Sequence, residues 1–159
     1  MLLLLGTLCY CIGSALVPFL NAEAYITAVA AMAGHQLDTT FGLWVLALVA
    51  AGGQMVGKTI WYMAGRHALD WPWLARKTAK PKWQAALARW ERRIGDRAWV
   101  AALVLLVSAT LGFPPFAILS MIAGQLRIPL PLFLVTGLVG RTLRFAGILG
   151  AASWITHLI

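Results

Sequence analysis

Apolar positions along this chain fall into runs that are cut at definite places, and the cuts predict the elements. Leu2 to Val17 is almost wholly apolar and stops at Pro18-Phe19; a second apolar run follows from Ala22 to Gly34. Each is shorter than the ~20 residues that span a bilayer. Together they predict two helices joined as a re-entrant hairpin with Pro18 at its tip, because a turn at membrane depth is tolerated only inside protein or at a cavity. Asn21 is placed to cap the second helix, with Glu23 in its first turn, where the helix dipole favours a negative charge. Phe41 to Gly65 is long enough for a full crossing, about 37 Å at helical rise. Inside it Gln54, Lys58 and Tyr62 recur at i, i+4 and i+8 and make one polar stripe.

After Gly65 the pattern changes. From Pro81 the positions Trp83, Leu87, Trp90 and Ile94 recur at helical spacing, with Lys82, Arg89, Arg92 and Arg93 between them. This predicts an amphipathic helix lying on a membrane surface with its tryptophans at headgroup depth. Trp99 to Phe145 then reads as one long apolar stretch interrupted by Gly112-Phe113-Pro114-Pro115, with Arg141 and Arg144 in its last third. Paired prolines remove backbone donors and end a helix. The prediction is a second hairpin from Ala98 with its tip at Pro114 and Pro115, then a crossing from about Pro131 to Ile159.

The second half echoes the first. Met32-Ala33-Gly34 matches Ile122-Ala123-Gly124, and Val56-Gly57-Lys58-Thr59 matches Val139-Gly140-Arg141-Thr142. Each half begins with a proline-broken pair and ends in a span. A re-entrant hairpin returns to its own side, so the two halves face opposite ways, an arrangement recurrent in transporters. The expected fold is therefore an all-α polytopic membrane protein, a single domain over 1–159. It has two inverted repeats, 1–66 and 98–159, each a re-entrant helical hairpin plus a transmembrane helix, joined by an amphipathic connector over 67–97.

Composition agrees. Of 159 residues 61% are hydrophobic and 11% charged, far from the soluble average. The net charge of +8 is concentrated, since nine of the thirteen Lys and Arg lie between Arg66 and Arg97. Basic loops between spans report orientation, which puts this loop in the cytoplasm and both termini opposite, and argues against nucleic acid as a partner. Leu2 to Leu5 before Ala22-Glu23-Ala24 has the outline of a cleaved leader, but without a basic start it reads as a retained hairpin. Cys9 and Cys11 point to different helix faces and read as buried small apolar residues, not a disulfide. No metal-ligand spacing is present, and no cofactor is expected.

The pattern Pro18…Asn21-Ala22-Glu23, Gly53…Gly57…Tyr62…Gly65-Arg66, Pro114-Pro115…Ala123-Gly124…Phe133…Gly140-Arg141 resembles the DedA family, also described as VTT-domain or SNARE-associated Golgi proteins. Length and Lys82-Trp83-Gln84 make it most similar to the small YqaA-like branch. The resemblance implies paired hairpins and transbilayer movement of phospholipids or polyprenyl-phosphate carriers. The chain departs from larger members in having Asn-Ala-Glu at 21–23, in lacking arginines around Leu111, Gly112 and Ala117, and in carrying Lys58 where an acidic residue is usual.

The expected function is a flippase for a lipid with an anionic phosphate headgroup in a bacterial cytoplasmic (inner) membrane. Lys58, Arg141 and Arg144 would supply positive charge, arginine with a forked geometry suited to phosphate. Helix N-termini after Asn21 and Pro115 would add N–H donors, and Gln54 and Tyr62 would line the site. Glu23 would be the counter-charge or a proton carrier. The competing classes are a non-transporting assembly protein and, less favoured, a lipid-phosphate enzyme, for which only His67 and His157 are candidate bases. Self-association is left open.

Overall fold

A computed structural model of the chain describes residues 2–16, 22–33, 40–67, 79–94 and 97–158, with Asp70, Pro72 and Arg76. Seven helices account for nearly all of them: α1 Leu2–Leu16, α2 Ala22–Ala33, α3 Thr40–Arg66, α4 Pro81–Ile94, α5 Ala98–Leu111, α6 Phe116–Gln125 and α7 Leu130–Leu158. Among the described residues there is no strand. Phe41–Arg66 and Leu130–Ala151 are long and apolar enough to cross a membrane, while α1, α5 and α6 are apolar but shorter. Pro18 and Asn21 lie outside the described residues.

The long helices α3 and α7 pack against each other at the centre. Each is flanked by one helix of its own half and one of the other: α1 and α6 pack on α3, and α5 and α2 pack on α7. Missing Cβ atoms permit these approaches. Gly53 faces the Leu8 carbonyl and Cys11 of α1, and Gly57 faces Ile12 and Ala15. Gly140 faces Leu106, Ala109 and Thr110 of α5. Gly65 and Gly124 bring α3 and α6 together backbone to backbone, Gly65 against Met121 and Gly124 against Tyr62 and Arg66. A methyl group at such a place would displace main chain, which close packing does not absorb.

Two apolar cores result. One joins Met55 and Tyr62 to Leu105, Phe116, Leu119 and Phe133. The other joins Cys11, Ile26, Leu46 and Ala50 to Phe145 and Leu149. Because α3 enters the first core after residue 51 and α7 leaves it before residue 145, Lys58, Arg141 and Arg144 sit near the boundary between them. Leu48, Val56, Ile60, Leu103, Val107, Val135 and Val139 remain exposed on the outer surface, as expected where hydrocarbon is the solvent.

Three details differ from the sequence expectation. The break after α5 is made by Gly112, which caps the helix at φ 79° with its N–H on the Ser108 carbonyl; the prolines come afterwards, Pro115 as the N-cap of α6. The apolar face of α4 is seated on protein. Trp83 packs on Met121 and donates Nε1–H to Gln125 Oε1 at 2.9 Å, while Trp90 joins the first core. The helix period fixed that face; what covers it at Trp83 is the end of α6. Cys9 is exposed while Cys11 is buried, as two positions 200° apart on a helix should be, and both are free.

Candidate functional site

The polar stripe of α3 points inward. Gln54, Lys58 and Tyr62 are 6%, 7% and 0% exposed. Lys58 is about 12 Å along the axis from Arg66, within the reach that snorkelling would exploit, yet its side chain does not run to that end. Its Nζ donates to the Ala15 carbonyl at 3.0 Å, and Trp61 Nε1 donates to the same oxygen at 3.3 Å. Ala15 lies in the last turn of α1, where carbonyls have no partner within the helix and a cation is favoured. Gln54, one turn earlier, donates Nε2–H to Ser14 Oγ at 2.9 Å. Tyr62 donates its hydroxyl to the Ile128 carbonyl at 2.5 Å and stacks on Phe133 with ring centroids 4.9 Å apart. Gln54 and Tyr62 are thus held in packing seams, and neither hydroxyl nor amide is directed at the charged centre.

That centre joins the two halves. Arg144 donates Nε–H to Glu23 Oε1 at 2.6 Å and pairs with the same oxygen through Nη2 at 2.5 Å. Its Nη1 donates to the Thr110 carbonyl at 3.1 Å. One guanidinium therefore clamps the first turn of α2 to the last turn of α5. The backbone makes room: a Cβ on Gly112 would stand 2.5 Å from Arg144 Nη1. Glu23, expected as the counter-charge of the cluster, pairs with Arg144.

Arg141 lies within electrostatic range of Lys58, Arg144 and Glu23. Its guanidinium stands 5.2 Å over the Phe116 ring, a cation–π contact at the first residue of α6. Its Nε is buried with no hydrogen-bond partner among the described residues, as is Thr142 Oγ1. Pro115 provides no side-chain cap to α6. Arg141 and Arg144 thus gather near the Glu23 carboxylate, with Lys58 near Arg141, an arrangement suited to holding an anion. Thr110, Phe116, Ala15 and Ser14 were absent from the sequence reading; three of them act through backbone carbonyls, a ring face or a cap-free terminus, which residue type does not reveal.

The candidate bases of the enzyme reading are remote in sequence from this cluster. His67 Nδ1 pairs with Asp70 at 3.0 Å in the exposed connector, and the His157 side chain lies outside the described residues. Among the described residues no group of His, Cys, Asp and Glu could hold a metal ion.

A family model described as the VTT domain matches residues 17–153, which covers α2 to α6 and most of α7. Comparison with curated proteins and with solved structures gave no match.

Proposed function

The chain belongs to the VTT-domain family, the DedA family of membrane proteins, and from that premise we propose that it moves a lipid with an anionic phosphate headgroup across the bilayer. The observation that carries this reading is the charged centre: Lys58, Arg141 and Arg144 with Glu23 as the one carboxylate set against them among the described residues. Uncompensated positive charge in such surroundings is costly unless an anion joins it. An intramembrane cluster in which cations outnumber carboxylates is better suited to a transient phosphate than to a permanent ion pair. The family assignment does not reach the small YqaA-like branch, so the choice between phospholipid and polyprenyl phosphate stays with experiment.

The architecture proposed for this task is a pair of inverted repeats with re-entrant hairpins. Reciprocal packing supports it, since each long helix is covered by the outgoing arm of its own half and the returning arm of the other. Support also comes from α6 ending beside Arg66 and Trp83, at the level of the connector from which α5 sets out. Alternating access would then be a rocking of one half against the other around Arg144. We place the protein as a multi-pass protein of a bacterial inner membrane, the basic connector cytoplasmic, acting as a carrier and not on the headgroup's covalent bonds.

The test is reconstitution of the purified protein into vesicles carrying headgroup-labelled lipids in one leaflet. Faster exchange of a phosphate-bearing lipid than in protein-free vesicles is expected, with no release of inorganic phosphate. Exchange no faster than in empty vesicles for every anionic lipid tried would leave the non-transporting assembly role in its place.

A further inference from the structure

The two matched tetrapeptides occupy corresponding places but treat their polar groups differently. Gly57 and Gly140 each admit the first arm of a broken pair, α1 and α5 respectively. In the first half both neighbouring polar groups are satisfied: Lys58 on the Ala15 carbonyl at 3.0 Å, Thr59 on the Met55 carbonyl at 2.8 Å. In the second half neither is, for Arg141 Nε and Thr142 Oγ1 are buried without a partner among the described residues. The cause is visible one turn along. What Lys58 does for the end of α1, Arg144 does for the end of α5, through Nη1 on the Thr110 carbonyl. Arg141 is thereby relieved of the role its repeat position would give it.

A buried donor on a charged group is expensive to leave open. The Phe116 ring offsets part of that cost, but a ring face does not accept the in-plane Nε–H. Arg141 therefore keeps an open donor on a charged group, which calls for negative charge with acceptor oxygens.

We infer that Arg141 is the cation that meets the oxyanion of a phosphate-type group, while Lys58 and Arg144 are structural cations that hold the ends of α1 and α5. The identity of the ligand rests on the carrier reading above; the division of labour among the three cations does not. It makes the contact single-handed: one arginine, in the second half only.

Binding of dioctanoyl phosphatidic acid to the detergent-solubilised full chain, read by native mass spectrometry, tests this, with dioctanoylglycerol as the phosphate-free control. The wild type should retain the phosphatidic acid and not the control. Arg141→Gln should weaken retention by roughly 10- to 100-fold, the range of a charge-assisted hydrogen bond, and Arg141→Lys should recover part of it, which also guards against a misfolded Gln variant. Lys58→Met should lower the melting temperature by more than Arg141→Gln does, as loss of a group that ties a helix end should. Arg141-dependent binding of millimolar inorganic phosphate that displaces the lipid would assign the site to free phosphate; retention of the lipid in its presence assigns it to the headgroup, and the site stands either way. Wild-type retention in Arg141→Gln and Arg141→Lys, or a Lys58→Met melting temperature no lower than that of Arg141→Gln, overturns the inference. Vesicle exchange separates the two ideas. Arg141-dependent binding without lipid movement sinks the carrier reading alone, and movement indifferent to Arg141 sinks the site alone.

Discussion

Gly112→Ala should destabilise the protein mainly through Arg144, and the size of the effect can be worked from the geometry. Gly112 has φ 79°, so an alanine there pays the left-handed penalty of about 1–2 kcal/mol whatever surrounds it. Its Cβ would also fall 2.5 Å from Arg144 Nη1 and 3.0 Å from Cζ. An unconstrained arginine tip would swing away at little cost. This one is tied on both sides, to Glu23 by Nε and Nη2 and to the Thr110 carbonyl by Nη1. Clearing the methyl group gives up at least the Thr110 bond, worth about 1.5–3 kcal/mol for a charged donor. Arg144 keeps 22% exposure, which points to the lower part of that range. The expected total is therefore about 3–4 kcal/mol, measured by denaturant unfolding in detergent micelles. A double-mutant cycle isolates the mechanism. In an Arg144→Ala background the clash is gone, and Gly112→Ala should cost only the backbone strain. If Gly112→Ala costs the same in both backgrounds, the guanidinium does not rest against the cap of α5, and the clamp between α2 and α5 falls with it.

Two further outcomes are expected. Tyr62→Phe removes the donor to the buried Ile128 carbonyl and should cost about 1–2 kcal/mol in the same unfolding assay while leaving vesicle exchange intact; an unchanged midpoint would show that this hydroxyl does not pin the α6–α7 turn. A single cysteine at Ala79→Cys, with Cys9 and Cys11 replaced, should react with a membrane-impermeant maleimide in inverted vesicles but not from outside intact cells, and the reverse pattern would invert the proposed orientation.

Periodicity and proline placement were enough to locate α1, α2, α3 and α7 to within a residue or two. Apolar residues at spacing 3.6 can bury nothing as a strand, and a proline or glycine that cannot continue a helix ends it whatever the neighbours are. The same logic made Gln54, Lys58 and Tyr62 one stripe, and all three are buried on it. The repeat pointed to Arg141 and Arg144 for the same reason, as charges in a span that has no business carrying them. Partner choice was not legible. Glu23 and Arg144 are 121 positions apart, and which of two arginines one turn apart takes the carboxylate depends on where α2 crosses α7, a matter of helix packing that no local pattern encodes. Nor could residue type disclose that Lys58 ends on a backbone carbonyl, since every carbonyl in a chain looks alike until its helix stops. The chain by itself decided where helices begin, where they break and which faces they hide. Only the tertiary structure decided that two of the three cations are already occupied, because occupation depends on which helix ends are brought beside them.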